Sequence, residues 1–178
     1  MSFKSYLLAT SILGLCGLTL PAMAADPATA TFQVLIIIQK ACTVTAGTAS
    51  NINLGTVAAT AVNTTGNNTI SVNCSLTTPY YVGLAPSAAN GGNTTGGGNM
   101  ISTTAPAVNT NKVPYQLSST PGPSGTPWGN TATTTTVGNG VAGTGTGLAQ
   151  LLTVYATAPS ADFEPDSYAD TVTVNVNF

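Results

Sequence analysis

The sequence contains no histidine and no arginine, and it has few charged residues of any kind. Charged residues make up 4% of the chain, against about 25% in typical soluble proteins. The cations are Lys4, Lys40 and Lys112. Because nucleic-acid binding requires several phosphates to be neutralised, three lysines exclude a nucleic-acid partner.

The same absences argue against catalysis. Without histidine, general acid–base chemistry would fall to carboxylates or lysine. The sequence has no Gly-x-Ser-x-Gly motif and no P-loop, and the glycine-rich run at 91–98 lacks a lysine. We therefore expect a protein that is not an enzyme and has neither a cofactor nor a bound metal.

The acidic residues near the C-terminus, Asp162, Glu164, Asp166 and Asp170, are the one cluster that could carry chemistry. They could supply oxygen ligands to Ca²⁺ or a pair of glycosidase carboxylates. Their spacing matches no complete calcium loop, so a solvated turn before the last strand is favoured. A secreted hydrolase that uses Asp162 or Glu164 stays open as an alternative.

Residues 1–24 have the pattern of a secretory signal peptide. Lys4 provides the positive charge, residues 6–20 are apolar, and Ala22-Met23-Ala24 matches a cleavage site. The apolar run is shorter than the roughly 20 residues that span a bilayer. Cys16 is a poor lipidation site because the bulky Leu15 precedes it. We expect a mature chain that starts at Ala25 and is exported.

Two cysteines remain after removal of such a signal, Cys42 and Cys74. An even number of cysteines in an exported chain predicts a disulfide. Metal ligation is a weak rival, since no histidine and no third cysteine remain.

The rest of the chain is typical of an all-β protein, because threonine and valine dominate between recurrent glycines and prolines. Short alternating runs separated by turns favour a β-sandwich. Strands are predicted at 42–45, 51–54, 67–74, 79–84, 100–101, 113–117, 131–137, 147–158 and 168–178. The strand at 147–158 should bury Leu148, Leu152, Val154 and Ala156, and Trp128 should anchor the core.

The most apolar of these runs lies at residues 27–41. Its even positions form one hydrophobic face at the two-residue period of a strand: Ala28, Ala30, Phe32, Val34, Ile36 and Ile38. So much apolar surface has to pair with a sheet. The pattern itself does not decide whether that sheet belongs to the same chain or to a neighbour.

Several of these features together resemble the spore coat protein U domain family, and within it the major rod subunits of Csu-type archaic chaperone–usher pili. They are the signal peptide, the alternating N-terminal run, CTV at 42–44, NC at 73–74, VPYQL at 113–117, WG at 128–129 and YADTVTVNVNF at 168–178. The resemblance covers essentially the whole chain after residue 24.

The resemblance implies an incomplete immunoglobulin-like β-sandwich that lacks its last strand. A periplasmic chaperone first fills the groove; at an outer-membrane usher the N-terminal segment of the next subunit replaces it. The implied organisation is a signal peptide at 1–24, a donor segment at 25–41 and a pilin domain at 42–178. The implied donor residues are Ala30, Phe32, Val34, Ile36 and Ile38. The implied acceptor groove and chaperone-docking strand contains Val172, Val174, Val176 and Phe178.

The resemblance further implies a head-to-tail homopolymer on the cell surface, joined by other pilus subunits including a tip adhesin, that supports adhesion and biofilm formation. Two alternatives stay open. One is a secreted carbohydrate-binding adhesin in which Trp128 and tyrosines stack on sugars. The other is a coat-like protein whose N-terminal strand completes its own sandwich.

Overall fold

The computed structural model describes residues 27–178, so the predicted signal peptide at 1–24 lies outside the described residues. The chain divides into residues 1–37 and residues 38–178. Within the first unit, residues 27–37 form neither helix nor strand. All secondary structure of the described residues lies in the second unit. No helix of the described part has the length and apolar character needed to cross a membrane.

The second unit is built from strands, as the composition predicts. In the described residues they are β1 (Cys42–Thr45), β2 (Val62–Cys74), β3 (Pro79–Pro86), β4 (Gly97–Ser102), β5 (Lys112–Ser118), β6 (Val141–Thr144), β7 (Ala149–Ser160), β8 (Tyr168–Ala169) and β9 (Val172–Asn177). Two single-turn 3₁₀ helices occur at Thr48–Ser50 and Ala88–Asn90.

These strands form two antiparallel sheets. The larger has the order β1-β2-β7-β5-β4-β8, and the smaller has the order β6-β3-β9. Buried side chains of both sheets pack into one core, for example Val72 and Val154 from the larger sheet with Val82 and Leu84 from the smaller. The all-β, sandwich-like fold expected from the sequence is therefore confirmed.

The predicted disulfide is present. Cys42 and Cys74 are directly opposite each other in the register of β1 and β2, and their sulfur atoms are bonded. The bond ties β1, which pairs with β2 alone, to the rest of the larger sheet.

Two predicted strands are wrong, because side chains bind the backbone where a ladder was expected. At 51–54 the Asn68 side-chain amide donates to the carbonyl oxygens of Ala49 and Asn51 at 2.9 and 2.8 Å. At 131–137 the Thr133 hydroxyl accepts from the amide N–H groups of Thr135 and Thr136. Both segments are irregular.

The predicted terminal strand at 168–178 is also corrected. It breaks at residues 170–171, and its two parts join different sheets: β8 pairs with β4 in the larger sheet, whereas β9 pairs with β3 in the smaller. The face predicted for the preceding long strand is right except at Leu148, which lies before β7 and is 71% exposed.

Candidate functional site

β9 forms one edge of the smaller sheet, and β6 forms the other. Within the described residues β9 pairs only with β3, in a register that runs from Tyr81 opposite Asn177 to Pro86 opposite Val172. In the larger sheet β1 is likewise an edge strand. An edge strand presents unpaired N–H and C=O groups that can template another strand.

A groove with a cavity volume of about 410 Å³ lies beside this edge, and we call it the acceptor groove. One part of its lining comes from segment 46–54, including Ile52 and Leu54, and another from residues 168–174. The remaining lining consists of core side chains from five strands: Ile70, Leu84, Met100, Tyr115, Leu117, Val154 and Ala156. The apolar interior between the two sheets is therefore accessible through this groove.

Of the four residues predicted for this groove, two line its cavity and two do not. Val172 and Val174 line the cavity. Val176 is half-buried against the core cluster, and Phe178 is 38% exposed just beyond the end of β9; neither lines the cavity. All four lie at even positions and so share one face of the strand period.

One end of the groove is polar. Asp170, in the break between β8 and β9, accepts hydrogen bonds from the Tyr115 hydroxyl at 2.7 Å and from the Asn90 side-chain amide at 2.6 Å. Burial raises the pKa of Tyr115 well above its usual range, and the hydrogen bond to Asp170 and the charge of that carboxylate add to the increase. Asp170 and Tyr115 both line the groove.

The N-terminal segment, of which the structure describes residues 27–41, is a second candidate functional feature. It forms no strand, and Ala30 is exposed. Each large apolar side chain is at least 80% exposed: Phe32, Val34, Leu35, Ile36, Ile37 and Ile38. The predicted donor residues therefore belong to the largest run of exposed apolar side chains in the described chain, which is typical of a segment that is covered by a partner.

One member of the acidic cluster, Asp166, holds a turn in place. Asp166 accepts hydrogen bonds from the Ser102 hydroxyl at 2.6 Å, from the Asn109 amide at 3.0 Å, from the Ser167 backbone N–H at 2.7 Å, and from the Thr104 hydroxyl. These bonds fasten the turn before β8 to the loop after β4. No group of three potential metal ligands occurs among residues 27–178.

The bonds to Asp166 predict a loss of stability in acid. Hydrogen bonds from Ser102, Thr104, Ser167 and Asn109 hold the pKa of this carboxyl well below its ordinary value of 3.8. A carboxyl with a lowered folded-state pKa contributes its full stabilisation above the unfolded-state pKa, and this is lost as the pH falls through the folded-state pKa.

Asp166→Asn should therefore lower the melting temperature at pH 7 and show a smaller further decrease below about pH 4 than the unchanged protein. Thermal unfolding by circular dichroism from pH 7 to pH 2 measures both effects. Asp162→Asn, at an exposed position of the same turn, is the matched control and should change neither. Equal acid sensitivity of Asp166→Asn and the unchanged protein would contradict the prediction.

Sequence reasoning missed three contributors to the groove. Asp170 was assigned to the acidic cluster, Tyr115 to an ordinary strand, and segment 46–54 partly to a strand. The alternation of Ile52 and Leu54 was the one available signal, since both side chains do pack on the core. Nothing local in the sequence indicates that Tyr115 and Asp170, 55 residues apart, are hydrogen-bonded.

Comparison with solved structures finds similar chains. A chain in the crystal structure of the CsuC–CsuE chaperone–tip adhesion subunit pre-assembly complex, from the archaic chaperone–usher Csu pili of Acinetobacter baumannii, is 21% identical with a TM-score of 0.48. The match covers 79% of the present chain and 40% of that chain. No curated protein matches the sequence significantly.

The sequence model of the Spore Coat Protein U domain matches residues 28–175, which include the N-terminal segment from Ala28 onward, both cysteines of the disulfide, Trp128 and four of the six residues of β9. The match therefore extends over both candidate features and most of the chain. The protein belongs to the Spore Coat Protein U domain family.

Proposed function

We propose that this protein is the major structural subunit of an archaic chaperone–usher pilus and that it polymerises by donor-strand exchange. In each junction, the N-terminal segment of one copy occupies the acceptor groove of the next. The observation that supports this most strongly is that one chain carries both an exposed strand-patterned apolar segment and an apolar groove along an unpaired strand edge.

The proposed contact would pair the free backbone groups of the β9 edge and bury the apolar side chains of the segment. Added beside β9, the segment would pair with the free backbone groups of that edge and place alternate side chains in the groove. Burying Phe32, Val34, Ile36 and Ile38 at about 1.5–3 kcal/mol each gives on the order of 6–12 kcal/mol before ordering costs. Ala30 would add a shallower contact.

The shape of the polymer follows from the use of two different surfaces. A segment that leaves one copy and a groove that receives another make a heterologous, head-to-tail contact, which continues into an open filament. With 4% charged residues, neighbouring copies would repel each other little.

The same groove defines the transient partners. An empty apolar groove beside an unpaired edge is an aggregation hazard, so a periplasmic chaperone would cover it through β9 until an outer-membrane usher exchanges it for the next subunit. Residues 1–24 would direct export and be removed. The assembled fibre would lie outside the cell with a tip adhesin and other subunits, and would support adhesion and biofilm formation.

Deleting residues 27–38 tests the proposal. The full chain, produced with its chaperone and usher, should give fibres in negative-stain electron microscopy, whereas the shortened chain should give none. A synthetic peptide of residues 27–41 should bind the shortened chain and raise its melting temperature. Peptide binding also shows that the shortened chain is folded.

Fibres formed by the shortened chain would overturn the proposal. A full chain that sediments as a monomer at every concentration would favour a self-completed sandwich instead. Sugar-dependent quenching of the fluorescence of the lone Trp128 would favour a carbohydrate-binding adhesin, although an indole that is 1% exposed is not available for stacking on a sugar.

A further inference from the structure

We infer that Lys40 of the entering copy pairs with Asp170 of the receiving copy, and that this ion pair sets the direction and register of the N-terminal segment in the groove. The inference rests on the proposed function, because it assigns the contact within that junction. The occupant is a second copy of this chain, and the argument for it is charge complementarity.

Charges are distributed very unevenly along the described residues. The cations are Lys40 and Lys112, and all four acids lie between residues 162 and 170. Asp170 belongs to the lining of the acceptor groove, and the other three do not. Lys40 is the cation of the N-terminal segment, whereas the Lys112 ammonium donates to the carbonyl oxygen of Asn90.

Lys40 has the phase that such a pair requires. It lies two residues after Ile38, so in an extended strand its side chain points to the same side as Ile36 and Ile38. A segment that places its isoleucines in the groove therefore directs the Lys40 ammonium to the same side. Lys40 is exposed in the structure.

Within one copy the two residues lie at opposite ends of β9. The backbone N–H of Ala41, next to Lys40, donates to the Ser75 hydroxyl just beyond β2. The turn that follows leads into the start of β3, where Tyr81 is opposite Asn177 at the end of β9. Asp170 precedes the other end of β9, roughly 20 Å away at the rise of a strand. Pairing of Lys40 with the Asp170 of its own copy is thus excluded.

Asp170 can accept a further bond. Its two oxygens have one partner each, the Tyr115 hydroxyl and the Asn90 amide, and an ionised carboxylate offers about four acceptor positions. Both partners are neutral donors, and no cation among residues 27–178 bonds to this carboxylate in the single chain. An incoming ammonium would supply a charge-assisted bond.

In one alignment the two charged side chains are paired and the apolar side chains of the segment meet those of β9. If the segment runs antiparallel to β9 with Lys40 opposite Asp170, its apolar face meets the apolar face of β9 residue by residue. The resulting pairs are Ile38 with Val172, Ile36 with Val174, Val34 with Val176, and Phe32 with Phe178. Each pair joins even positions, so all of them lie on the same side of β9 as Val172 and Val174, which line the groove.

Each of the other alignments puts a charged group beside an apolar side chain or separates Lys40 from Asp170. A shift by two residues in one direction sets Ile38 against the Asp170 carboxylate. The opposite shift sets the Lys40 ammonium against Val172 inside the apolar groove. A parallel segment in which Ile38 reaches Phe178 leaves Lys40 far from Asp170. An unpaired charge is strongly disfavoured in an apolar groove, so the ion pair selects one direction and one register.

A charge swap tests the inference in the full chain assembled with its chaperone and usher. Lys40→Glu should slow fibre growth roughly tenfold or more, and combining it with Asp170→Lys should restore much of the rate. Asp162→Lys, in the exposed turn outside the groove, should not restore it. Equal growth rates of Lys40→Glu and the unchanged chain would overturn the inference.

Cysteine cross-linking gives a second measurement, which is independent of any unfolding by Asp170→Lys. Fibres of the Ile38→Cys, Val172→Cys double variant should oxidise to intersubunit dimers and longer ladders on non-reducing gels. The register-shifted pair Ile36→Cys, Val172→Cys should not. Ladders from the shifted pair alone would overturn the register while leaving the proposed function intact, since fibres would still form. Absence of fibres from the unchanged chain would instead overturn the proposed function, and the inference with it.

Discussion

Trp128→Ala is expected to lower the free energy of unfolding by about 3–5 kcal/mol, the usual range for removing a large aromatic side chain from a core. Trp128 is 1% exposed and is the largest fully buried side chain of the described residues. It belongs to the core cluster. A cavity of this size cannot be refilled by small movements of neighbouring side chains.

Trp128 also connects the two sheets through hydrogen bonds. Its backbone N–H donates to the carbonyl oxygen of Leu117 in β5, at 3.0 Å. Its indole N–H donates to the carbonyl oxygen of Val82 in β3, at 2.8 Å. The next residue, Gly129, accepts from the backbone N–H of Leu84 at 2.9 Å. The alanine variant loses the indole bond and leaves a buried carbonyl without that partner.

Urea unfolding followed by far-ultraviolet circular dichroism measures the effect, since the variant has no tryptophan fluorescence. Trp128→Phe separates the two contributions: it keeps an aromatic ring but removes the indole N–H that bonds to the Val82 carbonyl, so a loss of about 1–3 kcal/mol is expected. Leu148→Ala, at an apolar residue that is 71% exposed, should change stability by no more than about 0.5 kcal/mol. A loss below 1.5 kcal/mol for Trp128→Ala would show that Trp128 is not the anchor described above.

The sequence predicted the elements in which the side-chain pattern and the backbone pairing agree. Val72 lies between Ser71 and Asn73, and Val154 lies between Thr153 and Tyr155; both lie in ladders, so the period of two identified β2 and β7. The cysteine pair was likewise predictable, because an even number in an exported chain leaves few other roles.

The predictions failed where pattern and pairing separate. Ile52 and Leu54 alternate and pack on the core, yet the adjoining carbonyls of Ala49 and Asn51 accept from the Asn68 amide, 19 and 17 residues further along the chain. A local pattern records which side chains are buried and not which groups bond to the backbone. The passage of the chain from the larger to the smaller sheet at Asp170 could not be predicted for the same reason, because the alternation continues on both sides of the break.

The candidate site, like the fold, was predicted in part. Alternation identified the apolar face of the N-terminal segment, and the resemblance to a family directed it to β9. The wall at 46–54 and the polar end at Tyr115 and Asp170 depend on long-range packing, which no local signal reports. The polar end matters for the proposed assembly, because it supplies the one charged group of the groove lining.

Ile36→Asp is expected to abolish fibre formation, whereas Ile37→Asp should leave it largely unchanged. The two isoleucines are adjacent and are 82% and 89% exposed in the single chain. Neither substitution should therefore change the stability of the monomer by more than about 0.5 kcal/mol. They differ in phase: Ile36 lies on the face that would enter the groove, and Ile37 on the opposite face.

The size of the difference follows from burial. In the groove Ile36→Asp forfeits about 1.5–3 kcal/mol of apolar burial and adds the cost of several kcal/mol for a carboxylate without a cation beside it. A combined loss of more than about 4 kcal/mol corresponds to at least 10³-fold weaker association. At position 37 the carboxylate would remain in water, so association should change by less than tenfold.

Sedimentation velocity and electron microscopy of chains produced with the chaperone and usher compare the two variants directly, with the melting temperature of each monomer as the control for folding. Equal loss of fibres in both variants would mean that hydrophobicity alone, without strand phase, drives assembly. Normal fibres from Ile36→Asp would show that the segment does not occupy the groove. Only a difference confined to position 36 requires an extended strand with its even-numbered side chains buried in another copy, because strand phase is the one property that separates these two residues.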